Sequence, residues 1–378
     1  MVLVVAAGYP TDKAKYSNGF VHARVKAYLE QNIDAKVFII SKKKKKAYEY
    51  EGVHVVYGTS EDLYNYVNAE TTISCICFHF LTKPMLSAIE RFRHNVSVII
   101  FVHGNEALFW YERIFPDTFA DCIRILKFLK YVFVNTYTIH YIRKRINNLK
   151  VKVDIVCVSQ WMKRIMIKNW KVDTDKINIE VIPNIINEKL FPYCEKSGED
   201  RYNILLIRSF SNGKYALDIA QEIIRKVERY PESKKIRFTI IGDGWLHEKY
   251  TCAIKNFSNV EIKKQFLSQR EIAEYHRRNG IFICPTRQDA QGVSMCEAMS
   301  SGLVPIASNN TAIPEFLPKK FNLMFDNADD AANRIIELIG DEEQFQSLSM
   351  EVSKFIRKKC CIENTIGKEI KLIRKISF

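Results

Sequence analysis

The chain has 378 residues, of which 47% are apolar and 26% charged, and its length and composition are typical of a globular protein with two or three domains. No run of about 18 uncharged apolar residues occurs, which argues against a membrane-spanning helix. The formal net charge of +14 calls for an anionic partner or surface, with nucleic acid, nucleotide phosphate and anionic lipid as candidates.

The first half of the chain alternates between strand and helix patterns. We interpret the opening VLVVAAG as a buried strand rather than a signal peptide, because no basic segment precedes it and Gly8 and Pro10 interrupt it. Helical spacing follows from Phe20 to Leu29, and residues 117–146 show a second, partly amphipathic helical pattern. Further strands are predicted at AKVFIIS, VHVVYG, ISCICFHF, VSVIIFVHG and VDIVCVS. Strands that are apolar on both faces indicate a parallel sheet covered by helices.

A second series of the same kind begins near Tyr202. Strands are predicted at NILLIRSF, RFTIIGDG, VEIKKQFL, IFICPT and VPIAS, and helices at ALDIAQEIIRKVERY, QREIAEYHRRN and SMCEAMSSG. Two consecutive βαβ blocks predict an α/β protein with two doubly wound, Rossmann-like domains. We expect an N-terminal domain over 1–192, a C-terminal domain over 193–352, and a last helix over 353–378 that packs back on the first domain.

The ten cysteines form no CxxC pair and no zinc-type spacing with histidine. Cys77, Cys157 and Cys284 lie in apolar runs, where cysteine behaves as a small hydrophobic residue. We therefore expect reduced, buried thiols and a cytoplasmic protein.

The most informative stretch is RQDAQGVSMCEAMSSG, residues 287–302. It follows a predicted strand, at the sheet edge where open α/β sheets bind ligands. Its helix start predicts an anion site formed by the amides of Gly292, Val293 and Ser294. Asp289 lies before the helix and Glu297 about one turn inside, so two acceptors suited to sugar hydroxyls flank that site. The alternative is that one acid offsets the helix dipole and the other is simply buried.

Other candidate ligand positions also follow predicted strands or precede helices. Arg208 ends a strand and Lys214 opens the next helix, so both can meet a diphosphate, although two solvated cations are the alternative. Gly242 lies in the turn IIGDG, which is half of a dinucleotide fingerprint or simply a tight turn. His103 follows a strand and is either a ligand contact or structural, and Gly19 offers a backbone amide before a helix. On that helix, Arg24 is the basic residue expected to point inward.

The order of these features resembles the family 4 retaining glycosyltransferases of the GT-B fold, of the type that builds bacterial cell-surface polysaccharide or lipopolysaccharide. The resemblance covers nearly the whole chain and is most specific over 285–315, where D-x7-E, EAMSSG, VPIAS and a trailing Pro314-Glu315 appear in the family's order. The N-terminal half matches more loosely.

The resemblance implies a GT-B architecture with a central cleft, an N-terminal domain that binds the acceptor, and a C-terminal domain that holds a UDP- or GDP-sugar donor. The expected catalytic residues are Arg208, Lys214, Asp289 and His103. Arg208 and Lys214 would neutralise the diphosphate, Asp289 would contact sugar hydroxyls, and Glu297 would hold the ribose. The expected donor-binding positions are Gly19, Gly242, Phe266, Leu267, Gln291, Gly292, Val293, Ser294 and Glu297.

The family mechanism implies attack on the same face of the sugar from which the diphosphate leaves. We assign no nucleophile, and expect neither a cofactor nor a metal, because Arg208 and Lys214 would supply the positive charge and no DxD motif is apparent. Asp289 stands where the family more often has glutamate, and Ile207 stands where glycine often precedes the arginine. The shorter acid is therefore where donor preference is expected to differ.

Basic segments suggest where the enzyme works. The lysine run within 41–48 and the apolar, basic segment 117–146 predict contact with an anionic membrane surface, at the inner face of the plasma membrane. A solvated loop, an ordinary packing helix and a soluble acceptor are the alternatives. The expected acceptor is a glycan or a lipid-linked glycan.

Two rival functions are a GT-B sugar-nucleotide 2-epimerase and a basic nucleic-acid-binding protein. No nucleic-acid motif is present, so nucleic acid is not an expected partner.

Overall fold

The computed structural model describes residues 1–11, 18–41, 46–92 and 96–377. The chain divides into two units. Unit 1 contains Met1–Arg113, Leu126–Ile185 and Ile362–Phe378, and unit 2 contains Ile114–Ile125 and Ile186–Cys361. These divisions lie a few residues from the expected ones at 192 and 352, and they also assign the short segment before residue 126 to unit 2. Of the lysine run at 42–46, residues 42–45 fall outside the described residues, and Lys46 begins the strand Lys46–Tyr50.

Unit 1 is built on an eight-stranded sheet in the order β3-β4-β2-β1-β5-β6-β7-β8. Its strands are β1 Val2–Ala6, β2 Ala35–Ile40, β3 Lys46–Tyr50, β4 Val53–Gly58, β5 Cys75–His79, β6 Ser97–Val102, β7 Val153–Cys157 and β8 Asn178–Val181. Only β3 runs antiparallel to its neighbour. Every residue of β1, β5, β6 and β7 is buried, as expected for a parallel sheet covered on both faces.

Five helices accompany this sheet along the chain: α1 Gly19–Glu30, α2 Ser60–Ala69, α3 Lys83–Ile89, α4 Cys122–Arg145 and α5 Gln160–Trp170. Polar side chains define where two of them begin. Thr59 and Asp62 form a capping box at α2, and Ser159 accepts from the Met162 amide at the start of α5.

Unit 2 contains a six-stranded parallel sheet in the order β11-β10-β9-β12-β13-β14. The strands are β9 Asn203–Ile207, β10 Arg237–Ile241, β11 Val260–Lys263, β12 Ile281–Cys284, β13 Val304–Ser308 and β14 Met324–Phe325. The helices are α6 Leu217–Val227, α7 His247–Thr251, α8 Gln269–Arg278, α9 Val293–Ser300, α10 Ile313–Phe316, α11 Ala328–Gly340 and α12 Glu342–Lys359. The prediction of two doubly wound α/β domains is confirmed.

The last helix, α13 Ile366–Ser377, belongs to unit 1 and packs against α1. Arg24 of α1 donates from Nε to both carboxylate oxygens of Glu369 at 2.9 Å, and both side chains are almost completely buried. Tyr28 donates to the same carboxylate, and Arg24 also donates to Asn184. The inward-pointing basic residue of α1 therefore joins this helix to the chain's end. Among the described helices, none is long and apolar enough to cross a membrane.

Candidate nucleotide-sugar site

Arg208 is buried at the carboxyl edge of the unit 2 sheet, directly after β9. Its Nη1 donates to Ser294 Oγ at 2.8 Å, and its Nη2 donates to Cys284 Sγ. Burial lowers the pKa of Arg208, but the neighbouring Cys284 and Asp289 more than offset this and raise the pKa above its usual value. The guanidinium is therefore a fixed cation at the start of α9, and its buried Nε has no hydrogen-bond partner among the described atoms.

Lys214 lies in the loop that follows Arg208. Its Nζ is 4.7 Å from the centre of the Tyr215 ring, and the Arg208 guanidinium is 5.5 Å from the same ring centre. The Lys214 carbonyl accepts from the Arg287 amide at 2.8 Å, which ties this loop to the one after β12. Arg287 pairs with Asp218, whereas neither Lys214 nor Arg208 pairs with a carboxylate among the residues that the structure describes. Two cations thus remain for an anionic ligand.

The start of α9 supplies backbone donors beside these cations. Gly292 adopts a left-handed conformation with φ of 76°, and a Cβ there would lie 2.9 Å from Ile313 Cδ1. The first bond of the helix runs from the Cys296 amide to the Gly292 carbonyl at 3.0 Å. The amides of Val293 and Ser294 precede that bond and have no acceptor among the described residues. They can therefore donate to a ligand, as amides do in anion sites at helix starts.

Asp289 holds the loop that leads into α9. Its Oδ1 accepts from the amides of Gln291 at 3.1 Å and Gly292 at 2.7 Å, and its own amide donates to Thr311 Oγ1. An aspartate commonly bonds amides two or three residues later in this way. The Gln291 and Gly292 amides, predicted to contact the ligand, instead donate to Asp289. If these amides bonded to a sugar nucleotide, they would have to give up their hydrogen bonds to Asp289.

Glu297 lies one turn inside α9. Burial raises the pKa of Glu297 to about 8, and a hydrogen bond with Gln269 of α8 opposes that shift. The side chain is therefore mostly protonated at neutral pH, although part of its surface reaches solvent. A neutral carboxyl group can donate one hydrogen bond and accept another, which suits a pair of neighbouring hydroxyls.

The remaining expected positions of unit 2 have different surroundings. A Cβ at Gly242 would lie 1.8 Å from the Arg208 carbonyl, so this glycine is required where the turn after β10 packs against the residue after β9. Gly242 thus packs against the backbone of Arg208. Phe266 and Leu267 lie beyond β11, because the strand ends at Lys263 and not at Leu267 as predicted. Leu267 is buried and Phe266 is exposed.

In unit 1, His103 forms a pair with His79, a residue that was not predicted to be part of a site. His79 ends β5 and His103 follows β6, so both satisfy the same rule of strand ends. His79 Nδ1 is 2.9 Å from His103 Nε2, and the rings stack with centres 5.2 Å apart. Burial first, and then the charge of Arg24, hold the pKa of each histidine well below its usual range, so both are neutral.

The buried Nε2 of His79 has no partner among the described atoms, which indicates the tautomer of the pair. An unpaired buried acceptor is tolerated better than an unpaired N–H donor. His79 Nε2 is therefore assigned as unprotonated, so that His79 Nδ1 donates to His103 Nε2. His103 then carries its proton on Nδ1 and is a hydrogen-bond donor there.

Two further residues of unit 1 are Glu106, which bonds to His103, and Gly19, which begins α1. Glu106, which was also missed, accepts from the His103 amide at 2.6 Å through Oε1, and burial raises the pKa of Glu106 to about 7. Gly19 begins α1 after Asn18, whose φ is 55°. A Cβ at Gly19 would meet no atom of the described residues within 4 Å, so packing against them does not explain this glycine.

Comparison with known proteins gives a family match in unit 2. Residues 201–341 match the family model described as Glycosyl transferases group 1. This segment is similar to the proteins of that family. It contains Arg208, Lys214 and all of α9, and it confirms the resemblance that the sequence motifs suggested.

Relatives and solved structures agree with this assignment. An uncharacterized glycosyltransferase of Methanocaldococcus jannaschii is 26% identical over 212 residues, 54% of each chain. The UDP-Gal:alpha-D-GlcNAc-diphosphoundecaprenol alpha-1,3-galactosyltransferase of Escherichia coli is 24% identical over 210 residues, 51% of this chain and 53% of the relative. The chain thus spans about half the length of these curated relatives.

The fold matches over the whole chain. Sucrose-phosphate synthase from Thermosynechococcus elongatus superposes with a TM-score of 0.71 and 13% identity, covering 99% of this chain and 98% of the other. HepE from Anabaena, solved in complex with UDP and glucose, gives a TM-score of 0.68 with 10% identity, covering 99% and 100%. The predicted GT-B fold is confirmed.

Proposed function

We propose that this protein is a retaining glycosyltransferase that moves a sugar from a UDP- or GDP-sugar to a glycan or lipid-linked acceptor. The observation that carries the proposal is the pair of cations, Arg208 and Lys214, beside the start of α9. Among the described residues, neither cation pairs directly with a carboxylate, and the Val293 and Ser294 amides have no hydrogen-bond acceptor. A diphosphate satisfies both, since it carries negative charge and several acceptor oxygens.

The chemistry follows from the charge that develops when the sugar leaves. Breaking the sugar–phosphate bond places negative charge on the diphosphate, and fixed positive groups stabilise that charge without reorganising. Arg208 is already held by Ser294 and Cys284, so its guanidinium is oriented before the donor binds. Lys214 adds a second charge. The acceptor hydroxyl would attack from the leaving-group side and pass its proton to the departing phosphate, so no protein nucleophile is required.

The two acids of the stretch 287–302 bind rather than transfer protons in this proposal. Asp289 keeps one oxygen on the loop amides, and its other oxygen is proposed to accept from a donor-sugar hydroxyl. Glu297 is proposed to hold the ribose hydroxyls through a neutral carboxyl group. His103 in unit 1 is proposed to donate from Nδ1 to a sugar hydroxyl.

The acceptor class is inferred from the relatives. The Escherichia coli relative is named for the transfer of galactose to GlcNAc-diphosphoundecaprenol. We propose an acceptor of the same chemical kind, a glycan carried on a lipid diphosphate.

The proposal is tested by a transfer assay with a panel of UDP- and GDP-sugars and a lipid-diphosphate-linked sugar, with the anomeric configuration of the product read by NMR. We expect transfer with retained configuration, and a loss of about 100-fold or more in Arg208→Ala. The control Lys354→Ala changes an exposed lysine of α12 and is expected to keep full activity. An inverted product, or conversion of the sugar nucleotide without acceptor, would contradict the proposal.

A further inference from the structure

Helix α4 has two halves with opposite surroundings. In the second half, Asn135, Ile139 and Ile142 are buried. Asn135 accepts from the Trp110 amide and donates to the Leu108 carbonyl, so this half is anchored within unit 1. In the first half, no residue from 122 to 134 is buried.

The first half is nevertheless rich in large apolar side chains. Of the fourteen exposed large hydrophobic residues in the described chain, seven lie on α4. They are Ile123, Ile125, Leu126, Leu129, Phe133, Val134 and Tyr137. Most of them recur three, four or seven positions apart and so share one face of the helix. Phe133 is 74% exposed and Leu126 is 67% exposed. A contiguous exposed apolar patch of this kind indicates a binding surface.

The charge of the same helix selects the occupant. α4 contains six arginine and lysine residues and no acid, and Lys127 and Lys130 lie among its exposed apolar residues. A second copy of this chain would present the same positive charge and be repelled. Nucleic acid would satisfy the lysines but would leave the leucine and phenylalanine side chains facing phosphates. A bilayer with anionic headgroups satisfies both sets of side chains.

We propose that α4 docks the protein on an anionic membrane, with residues 123–137 lying in the plane of the lipid interface. The helix is about 36 Å long at 1.5 Å per residue, and its apolar face would enter the headgroup boundary by about 5–10 Å. Lys127 and Lys130 remain with the lipid phosphates because long basic side chains extend toward the headgroups. This surface goes beyond the transfer reaction and can be tested without it.

The test is co-sedimentation of the full chain with vesicles of phosphatidylcholine alone or mixed with phosphatidylglycerol. We expect binding to the mixed vesicles only. Phe133→Ser is expected to weaken the partition about tenfold through lost apolar burial, and Lys130→Ala about fivefold through one lost charge. The matched controls Met350→Ser and Lys354→Ala change exposed residues of α12 and are expected to bind as the wild type does.

Three outcomes would overturn the proposal. The first is no binding to anionic vesicles, the second is equal loss in the α12 controls, and the third is a dimer in solution that Phe133→Ser dissociates while vesicle binding is absent. Thermal stabilisation by nucleotide sugars is measured on the same variants and is expected to be unchanged. Failure of the docking surface can therefore be distinguished from failure of the donor site.

Discussion

Two buried arginines, one in each unit, have opposite electrostatic surroundings. Arg24 in unit 1 meets the buried carboxylate of Glu369 and the hydroxyl-bearing Tyr28 nearby. Arg208 in unit 2 meets a serine hydroxyl and a cysteine sulfur, and no carboxylate among the described residues pairs with it. Both guanidinium groups carry charge, because the pKa of each lies above its usual value despite burial.

The difference separates a structural cation from one available to a ligand. A buried charge is costly unless a partner compensates it. The partner of Arg24 is Glu369 of the same chain, so the charge of Arg24 is neutralised by the ion pair that joins α1 to α13. Arg208 forms no direct ion pair among the described residues, although the nearby Asp289 carboxylate helps to raise its pKa. An anion brought by a ligand can therefore still pair with it. Unit 1 therefore pairs its buried cation internally, whereas we propose that the buried cation of unit 2 pairs with a substrate.

The largest expected effect comes from removing the internal partner. Glu369→Gln leaves Arg24 buried without a carboxylate, and the loss of one member of a buried ion pair destabilises a protein by about 3–5 kcal/mol. We expect that loss in the urea-unfolding transition of unit 1. The matched control is Glu61→Gln, which breaks the exposed pair with Arg91 and is expected to cost about 1 kcal/mol or less. Equal effects of the two substitutions would remove the distinction between the arginines.

The next effect is the pH dependence that Glu297 gives to unit 2. Its pKa is about 8 in the folded protein and is ordinary, near 4.5, when the chain unfolds. The folded state thus binds the extra proton, and the stability due to Glu297 is lost as the pH rises toward and through 8. Relative to Glu297→Gln, the wild type should lose on the order of 2 kcal/mol between pH 6 and pH 8. Parallel unfolding curves for both proteins across this range would show that Glu297 is not held neutral.

The smallest effect concerns the histidine pair of unit 1. His79→Phe keeps a ring over Phe101 but removes the donor to His103 Nε2. In the wild type, nitrogen NMR of labelled histidine is expected to show the His103 proton on Nδ1, and the variant should lose that preference. Transfer is expected to fall by about tenfold, roughly the value of one hydrogen bond. His54→Phe, at an exposed position, is the control. A proton on His103 Nε2 in the wild type would refute the assigned tautomer.

Periodicity and strand ends were enough to predict much of the fold and the cations. The apolar strands predicted both parallel sheets, and the position of Arg208 after β9 followed from where its strand stopped. The strand predicted at VEIKKQFL was too long, because residues 264–267, KQFL, lie beyond the end of β11 at Lys263. The sequence carries no local signal for that end, since the residues beyond it are a mixture of basic and apolar types.

Contacts between distant residues could not be predicted. The pairing of Arg24 with Glu369 joins residues 345 positions apart, and only the return of α13 reveals it. The hydrogen bonds from the Gln291 and Gly292 amides to Asp289 depend on the geometry of the turn, not on residue type alone. His79 was hidden inside an apolar run, although its place at the end of β5 could have identified it.

Calorimetric binding of UDP and GDP, beside uridine and guanosine, tests the central claim most directly. If Arg208 and Lys214 bind the diphosphate, one of the two nucleotides binds at least about tenfold more tightly than its nucleoside, and Lys214→Ala removes most of that advantage while Lys354→Ala keeps it. If nucleotide and nucleoside bind equally, or if Lys214→Ala binds as the wild type does, the unpaired cations of unit 2 are not a diphosphate site.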